Sequence, residues 1–272
     1  MLKYRILTAC ALIPLVLAGI FLLPTLYFKL ITAAIFLIAG FEWGTLCFKR
    51  TSIVMGFCLT LLLMMGLFHQ YGAPWLKELL IISMVLWLLP LVAVWFYQPD
   101  RKPLFTNISL RAAAGIIFLL SAWAGLCQIQ SMTSGGFLLI SLFVLIWMAD
   151  TAAYFAGRKW GKHKLSLVSP GKTLEGSMGG ILGSLFAGVV VYFIWQCYAP
   201  YLRPILLNPL PLWLSFVLLI SVLSMLGDLF ESLLKRICGV KDSGKLLPGH
   251  GGLLDRIDSL LPTLPLFALF IL

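Results

Sequence analysis

Asp228 and Glu231 stand three residues apart, and so do Asp255 and Asp258. On a helix that spacing places two side chains side by side on one face. Between the two carboxylate pairs lies a run holding His250, Gly251 and Gly252 together with four cations, Lys235, Arg236, Lys241 and Lys245, and a fifth, Arg256, stands inside the second pair. Carboxylates that leave coordination positions open suit Mg²⁺, which keeps waters and takes substrate phosphate oxygens as further ligands. Cations so close to a carboxylate-bound metal make sense if an anion sits between them. A nucleoside triphosphate with Mg²⁺ meets that description, with metal on Asp228, Glu231, Asp255 and Asp258 and the remaining phosphate charge on Lys and Arg. Ordinary explanations also exist: Glu231 with Lys235 is an i,i+4 pair, and Asp255 with Asp258 suits a helix start. Spacing alone leaves these alternatives open.

A second stretch carries related chemistry. Asp150 sits in WMADTAAYFAGRKWGKHK, deep in an apolar run, where a carboxylate is costly unless it faces protein or a water-filled cavity. SPGKTLEG, Ser169–Gly176, suggests a P-loop, but that pattern needs a glycine at position 166, which is Ser. What remains is Ser169, Lys172 and Thr173 in a Gly/Pro turn ahead of a helix, which offers N–H groups, hydroxyls and an ammonium to a phosphate. Glu42, in FEWG, reads either as an interfacial carboxylate beside a Trp anchor or as support for the same site.

The elements that must position these groups are membrane helices. The 272 residues are 61% hydrophobic and 11% charged, against roughly 25% charged in ordinary soluble proteins. The pattern predicts an all-α, polytopic integral membrane protein forming one domain over residues 1–272. Residues 1–135 supply N-terminal helices, and residues 136–272 supply the helices and loops of the site. About nine spans are expected: Ile6–Leu23, Lys29–Cys47, Ile53–Phe68, Leu79–Tyr97, Arg111–Ile129, Phe137–Ala156, Met178–Cys197, Leu212–Phe230 and a short one at Ser259–Leu272. With the N-terminus in the cytoplasm, seventeen Lys and Arg fall on the inner side, Arg111 among them. Only Lys29, Lys77 and Arg203 fall outside. Glycines and small residues at four-residue spacing, Gly176, Gly180, Ser184 and Gly188, with Gly179, Gly183 and Ala187 beside them, predict close helix packing, within the chain or in a homodimer.

The net charge of +10 points to anionic headgroups or substrates and not to nucleic acid, since no soluble domain carries it. The six cysteines form no CxxC and read as small buried hydrophobes.

Ser232–Asp258, SLLKRICGVKDSGKLLPGHGGLLDRID, resembles the signature of the phosphatidate cytidylyltransferases (CDP-diacylglycerol synthases) of bacterial type. GDLFES, SPGKTLEG and ADTAAYFAGR resemble that family as well. The resemblance implies cytidylyl transfer from CTP to phosphatidate, giving CDP-diacylglycerol and pyrophosphate. It also implies Mg²⁺ and a site on the cytoplasmic face of the inner membrane; a second, monovalent cation stays open. Family metal ligands fall on Asp228 and Asp255. Lys172, Lys235, Arg236, His250 and Arg256 fall at phosphate-binding or otherwise essential family positions. Gly171 departs from the family, whose members often carry Lys there. Two other functions remain on the residues: a CTP-dependent lipid kinase of the polyprenol type, and an anion transporter, which the lack of internal repeats disfavours.

Overall fold

The structure is a computed structural model that describes residues 14–98, 100, 102–198, 209–244, 246 and 251–272. His250, Lys245 and most of the expected first span lie outside the described residues; of that span, residues 14–22 are helical. Ten further α-helices follow: α1 Thr25–Cys47, α2 Thr51–Tyr71, α3 Leu76–Leu86, α4 Leu88–Trp95, α5 Ile108–Ser131, α6 Gly135–Trp160, α7 Leu174–Tyr198, α8 Leu210–Cys238, α9 Leu254–Ile257 and α10 Leu260–Ile271. No strand occurs among the described residues, only an isolated antiparallel bridge between Lys164 and Thr173. Among the described residues, seven helical stretches are long and apolar enough to cross a bilayer, α3 and α4 counting together as Ala73–Trp95. The protein is an all-helical, polytopic membrane protein.

Local chemistry sets the ends of these helices. Asn107 caps α5, its Oδ1 accepting Leu110 N–H at 3.2 Å. Thr173 caps α7 in the same way, its Oγ1 accepting Gly176 N–H at 3.1 Å. Gly239, at φ 69°, ends α8 in a left-handed turn in which Val240 N–H reaches Lys235 O. The expected Leu79–Tyr97 span is broken at Trp87. Pro90 is the cause: it has no N–H for the Leu86 carbonyl, and its ring crowds that carbonyl.

The small-residue pattern is spent inside the chain. A Cβ on Gly179 would overlap the Ala156 methyl, one on Gly183 would overlap the Ala152 methyl, and one on Gly180 would lie 2.9 Å from Ala149 O. Thus α6 and α7 pack backbone to backbone along a stripe of Ala and Gly. Gly188, further along, meets Val217 of α8, and Trp213 Nε1 donates to Gly188 O at 2.8 Å.

Alternating helix directions bring one set of ends together: the C-terminal ends of α1, α4, α6 and α8 and the N-terminal ends of α2, α5, α7 and α10. Cross-ties fasten that end. Trp43 Nε1 donates to Arg111 O at 3.0 Å, Arg111 reaches Cys238 Sγ at 3.4 Å, and Cys238 Sγ donates to Leu46 O at 2.9 Å. Arg111, expected among the loop charges, is therefore buried within the bundle. Helix α10 has 12 residues, about 18 Å at ~1.5 Å per residue, against a hydrocarbon layer of ~30 Å. Its side chains are mostly buried between α5 and α8.

Candidate active site

Helix α8 carries the central residues, and its rotation is fixed by packing. Phe230 is 1% exposed and sits among Phe105, Trp87, Trp43 and Phe118, with ring centroids 4.6, 5.6, 6.1 and 6.2 Å away. Asp228, two residues earlier, lies roughly 200° round the helix and so faces the opposite way, toward α6 and α7. The helix has 29 residues, about 43 Å, so its last turns, with Lys235 and Arg236, extend beyond a ~30 Å apolar layer to headgroup level.

One charge cluster forms around Lys172. Its ammonium lies 2.6 Å from Asp228 Oδ2. Asp150, on α6, is exposed and within electrostatic reach of Lys172 and Asp228. Asp258 is in reach of Asp228, Lys172 and Asp150. The approach of Asp258 to α8 depends on Gly227, where any Cβ would overlap the Asp258 carbonyl. Burial first, then the Asp228 charge, pushes the Asp258 carboxyl up from its ordinary value; Ser259 N–H, 2.7 Å from Oδ1, pulls the other way.

A second cluster forms around Lys235. Its ammonium bridges Glu231 Oε2 at 2.7 Å and Asp255 Oδ1 at 2.6 Å. Asp255 Oδ2 accepts Gly252 N–H at 2.8 Å and Ser243 N–H at 3.1 Å; Ser243 Oγ lies 3.0 Å from it and 3.0 Å from Glu42 Oε2, its one proton shared between the two carboxylates. Burial raises the Asp255 carboxyl, but the hydrogen bonds and the Lys235 charge outweigh it and hold the group well below the usual carboxylate range. Gly251 enters this turn at φ 82°, a conformation that favours glycine. Behind the turn, Glu42 of α1 is buried and accepts from Leu253 N–H, Leu254 N–H and Ser243 Oγ.

The ion pairs divide the carboxylates expected as two i,i+3 pairs, Asp228 on Lys172 and both Glu231 and Asp255 on Lys235, while Asp258 stays within electrostatic reach of Asp228 and of Glu231. Ser169 O accepts Lys172 N–H at 3.0 Å in the turn that presents Lys172. Arg236 Nε donates to Val168 O at 3.3 Å, tying α8 to that same loop. Thr173 spends a lone pair on its helix cap, which leaves its hydroxyl proton for a ligand oxygen. Gly252 is buried beneath the turn, and Arg256 is exposed on α9. The sequence reading missed Ser243, which joins Glu42 to Asp255. The Asp-Ser-Gly setting at 242–244 marks a turn but names no partner.

The donor chemistry fits Mg²⁺ at the Lys172 cluster. Asp228 holds the Lys172 ammonium at 2.6 Å, and Asp258 and Asp150 lie within its electrostatic reach, so the oxygens there are of the hard kind Mg²⁺ takes. Among the described residues no group of three His, Cys, Asp or Glu is arranged to hold a metal ion. In the second cluster Glu231 Oε1 is buried without a hydrogen-bond partner, whereas both oxygens of Asp255 are taken by protein donors. Asp255 could join a metal only by giving up some of them.

The chain is similar to known proteins. Phosphatidate cytidylyltransferase from Pseudomonas aeruginosa is 38% identical over 272 residues, covering 98% of this chain and 96% of its own length. The protein of that name from Haemophilus influenzae is 35% identical over 290 residues, covering 99% and 98%. The one from Synechocystis sp. is 44% identical over 144 residues, covering 52% and 45%. The family model described as "Cytidylyltransferase family" matches residues 3–272, and with that match over nearly its whole length the chain belongs to the cytidylyltransferase family.

Proposed function

We propose that this protein transfers a cytidylyl group from CTP to phosphatidate, giving CDP-diacylglycerol and pyrophosphate for phospholipid biosynthesis. It is a nucleotidyltransferase, with its site on the cytoplasmic face of the inner membrane. The observation that carries the reading is the Lys172–Asp228 ion pair at 2.6 Å, with Asp258 and Asp150 in electrostatic reach, at the bundle end where the basic residues gather. The full-length similarity to proteins named phosphatidate cytidylyltransferase supports the same substrates.

The phosphatidate phosphomonoester is already an anionic nucleophile, so no serine or cysteine intermediate is needed. One of its oxygens attacks the α-phosphorus of CTP, the Pα–O bond to the β-phosphate breaks, and pyrophosphate leaves. The difficulty is repulsion between two anions, and the protein's contribution is positioning and charge. Lys172 exchanges Asp228 for a phosphate oxygen of CTP. The turn at Ser169–Thr173 offers backbone N–H groups and a hydroxyl beside it. Arg236 and Arg256 add positive charge at headgroup level, and His250 belongs to the same glycine-rich run. Mg²⁺ held by Asp228 and Asp258, with Asp150 close by, would neutralise triphosphate charge and polarise the α-phosphate. Lys235, Glu231 and Asp255 hold the glycine-rich turn against α8.

Incubating the detergent-solubilised protein with labelled CTP, Mg²⁺ and phosphatidate tests the proposal. Release of pyrophosphate with label in the lipid is expected. Release of CDP would mean γ-phosphate transfer and a lipid kinase; both substrates unchanged would end the enzymatic reading.

A further inference from the structure

We propose that Glu42 is a positioning residue for cytidylyl transfer: from α1 it ties one limb of the chain, at Ser243, to another, at Leu253 and Leu254, and so sets how Asp255 meets Lys235 of α8. The inference rests on the function proposed above. Glu42 is 4% exposed. Its Oε1 accepts Leu253 N–H at 3.0 Å, and its Oε2 accepts Leu254 N–H at 2.7 Å and Ser243 Oγ–H at 3.0 Å. A single carboxylate thus fixes the separation of Ser243 from Leu253 and Leu254. Gly244 and Gly252 both pack against it: a Cβ on either would overlap the carboxylate. Ser243 then passes the constraint on, since its N–H and hydroxyl both lie on Asp255 Oδ2, and Asp255 meets Lys235 of α8. Glu42 therefore reaches the catalytic helix through Ser243 and Asp255 without touching substrate.

The chemistry of the clamp makes it sensitive to one atom. Each Glu42 oxygen accepts a backbone N–H, and a buried N–H without an acceptor is costly. A glutamine is the same size but has only one acceptor oxygen, so its NH₂ must face either Leu253 or Leu254 N–H. Aspartate is shorter by one methylene and cannot reach both limbs.

The test uses Glu42→Gln in the full chain, with Ser243→Ala alone and combined. In Glu42→Gln, kcat/KM for CTP should fall about 30-fold, the order expected for a lost charge-assisted clamp, while KM for phosphatidate stays within about twofold. Ser243→Ala should cost less in the Glu42→Gln background than in the wild type, because the two act on one turn. Amide hydrogen exchange supplies an arm that does not need turnover: exchange should quicken in 251–258 and stay unchanged in the cores of α5 and α8. Unchanged exchange in 251–258, or equal loss of protection across α1, α5 and α8, would overturn the clamp. A wild type that exchanges as described but makes no CDP-diacylglycerol would instead remove the proposed function and leave the clamp standing.

Discussion

The Lys172 ammonium and the Asp228 carboxylate meet at 2.6 Å, joining the loop between α6 and α7 to α8 across the mouth of the site. Both side chains are partly exposed, so the pair adds at most about 1 kcal/mol to stability. Its importance is in function, as a cation held where metal and triphosphate are proposed to bind. Lys172→Ala should raise the KM for CTP about tenfold, and that for phosphatidate by less than twofold, in steady-state assays. Asp228→Asn should leave the protein inserted and folded but abolish Mg²⁺-dependent turnover. A Lys172→Ala effect confined to the lipid would reassign the turn.

The two remaining aspartates should separate in a metal titration. Asp258→Asn should shift the Mg²⁺ requirement upward, with partial recovery at high Mg²⁺. Asp255→Asn keeps a single acceptor oxygen and cannot serve both Lys235 and the Gly252 and Ser243 donors, so its activity should fall without recovery at any Mg²⁺ concentration. Recovery in Asp255→Asn would place this residue among the metal ligands.

Gly227 should tolerate no side chain. Gly227→Ala presses a methyl onto the Asp258 carbonyl and should cost about 1–3 kcal/mol through displaced backbone, together with most of the activity. Thermal unfolding in detergent and the turnover assay check both.

Metal binding should depend on pH with a definite sign. Asp258 is raised above its ordinary value by burial first and Asp228 second, so without metal its proton is held by the folded protein more tightly than by the unfolded chain. The stability from that proton is full below the ordinary carboxylate pKa of ~3.9 and is lost as pH rises through the raised value. In EDTA, Tm should fall as pH increases over that interval. Bound Mg²⁺ should reverse the trend, with proton release measurable by calorimetry in two buffers.

Phe230 should matter to the site although it touches no substrate. Phe230→Ala should cost about 3–5 kcal/mol as a core truncation. By loosening the rotation of α8 it should also lower kcat in the fraction that stays folded.

The membrane class and the course of most helices were legible because apolar runs of about 20 residues have one physical explanation. The break at Trp87 was also readable, from Pro90 and the carbonyl four residues before it, but hydropathy hides it because both pieces are apolar. The regrouping of carboxylates was not readable. Asp228 and Glu231 differ by about 60° around α8, which on an open face keeps them together. Here the helix ends between two neighbours, and 60° is enough to send one to Lys172 and the other to Lys235. The partner of Glu42 was hidden for a different reason. Its acceptors serve backbone N–H groups, which every residue has, so no side-chain pattern marks the contact. Nine spans and a cytoplasmic N-terminus remain expectations from the charge count; the seven described long helices and their shared basic end are consistent with both.

The bond from Leu253 N–H to Glu42 joins residues 211 positions apart. Loop closure over that distance comes late, after the intervening helices have found one another. During synthesis, Glu42 enters the bilayer long before its acceptor role can be filled, and it must wait at the water-facing end of α1 until nearly the whole chain has followed. The glycine-rich turn is then shaped in one of the last acts of assembly. Chains shortened before Leu253 that insert and pack most of their helices should therefore be inert, and activity should appear only once residues 253 and 254 have been added.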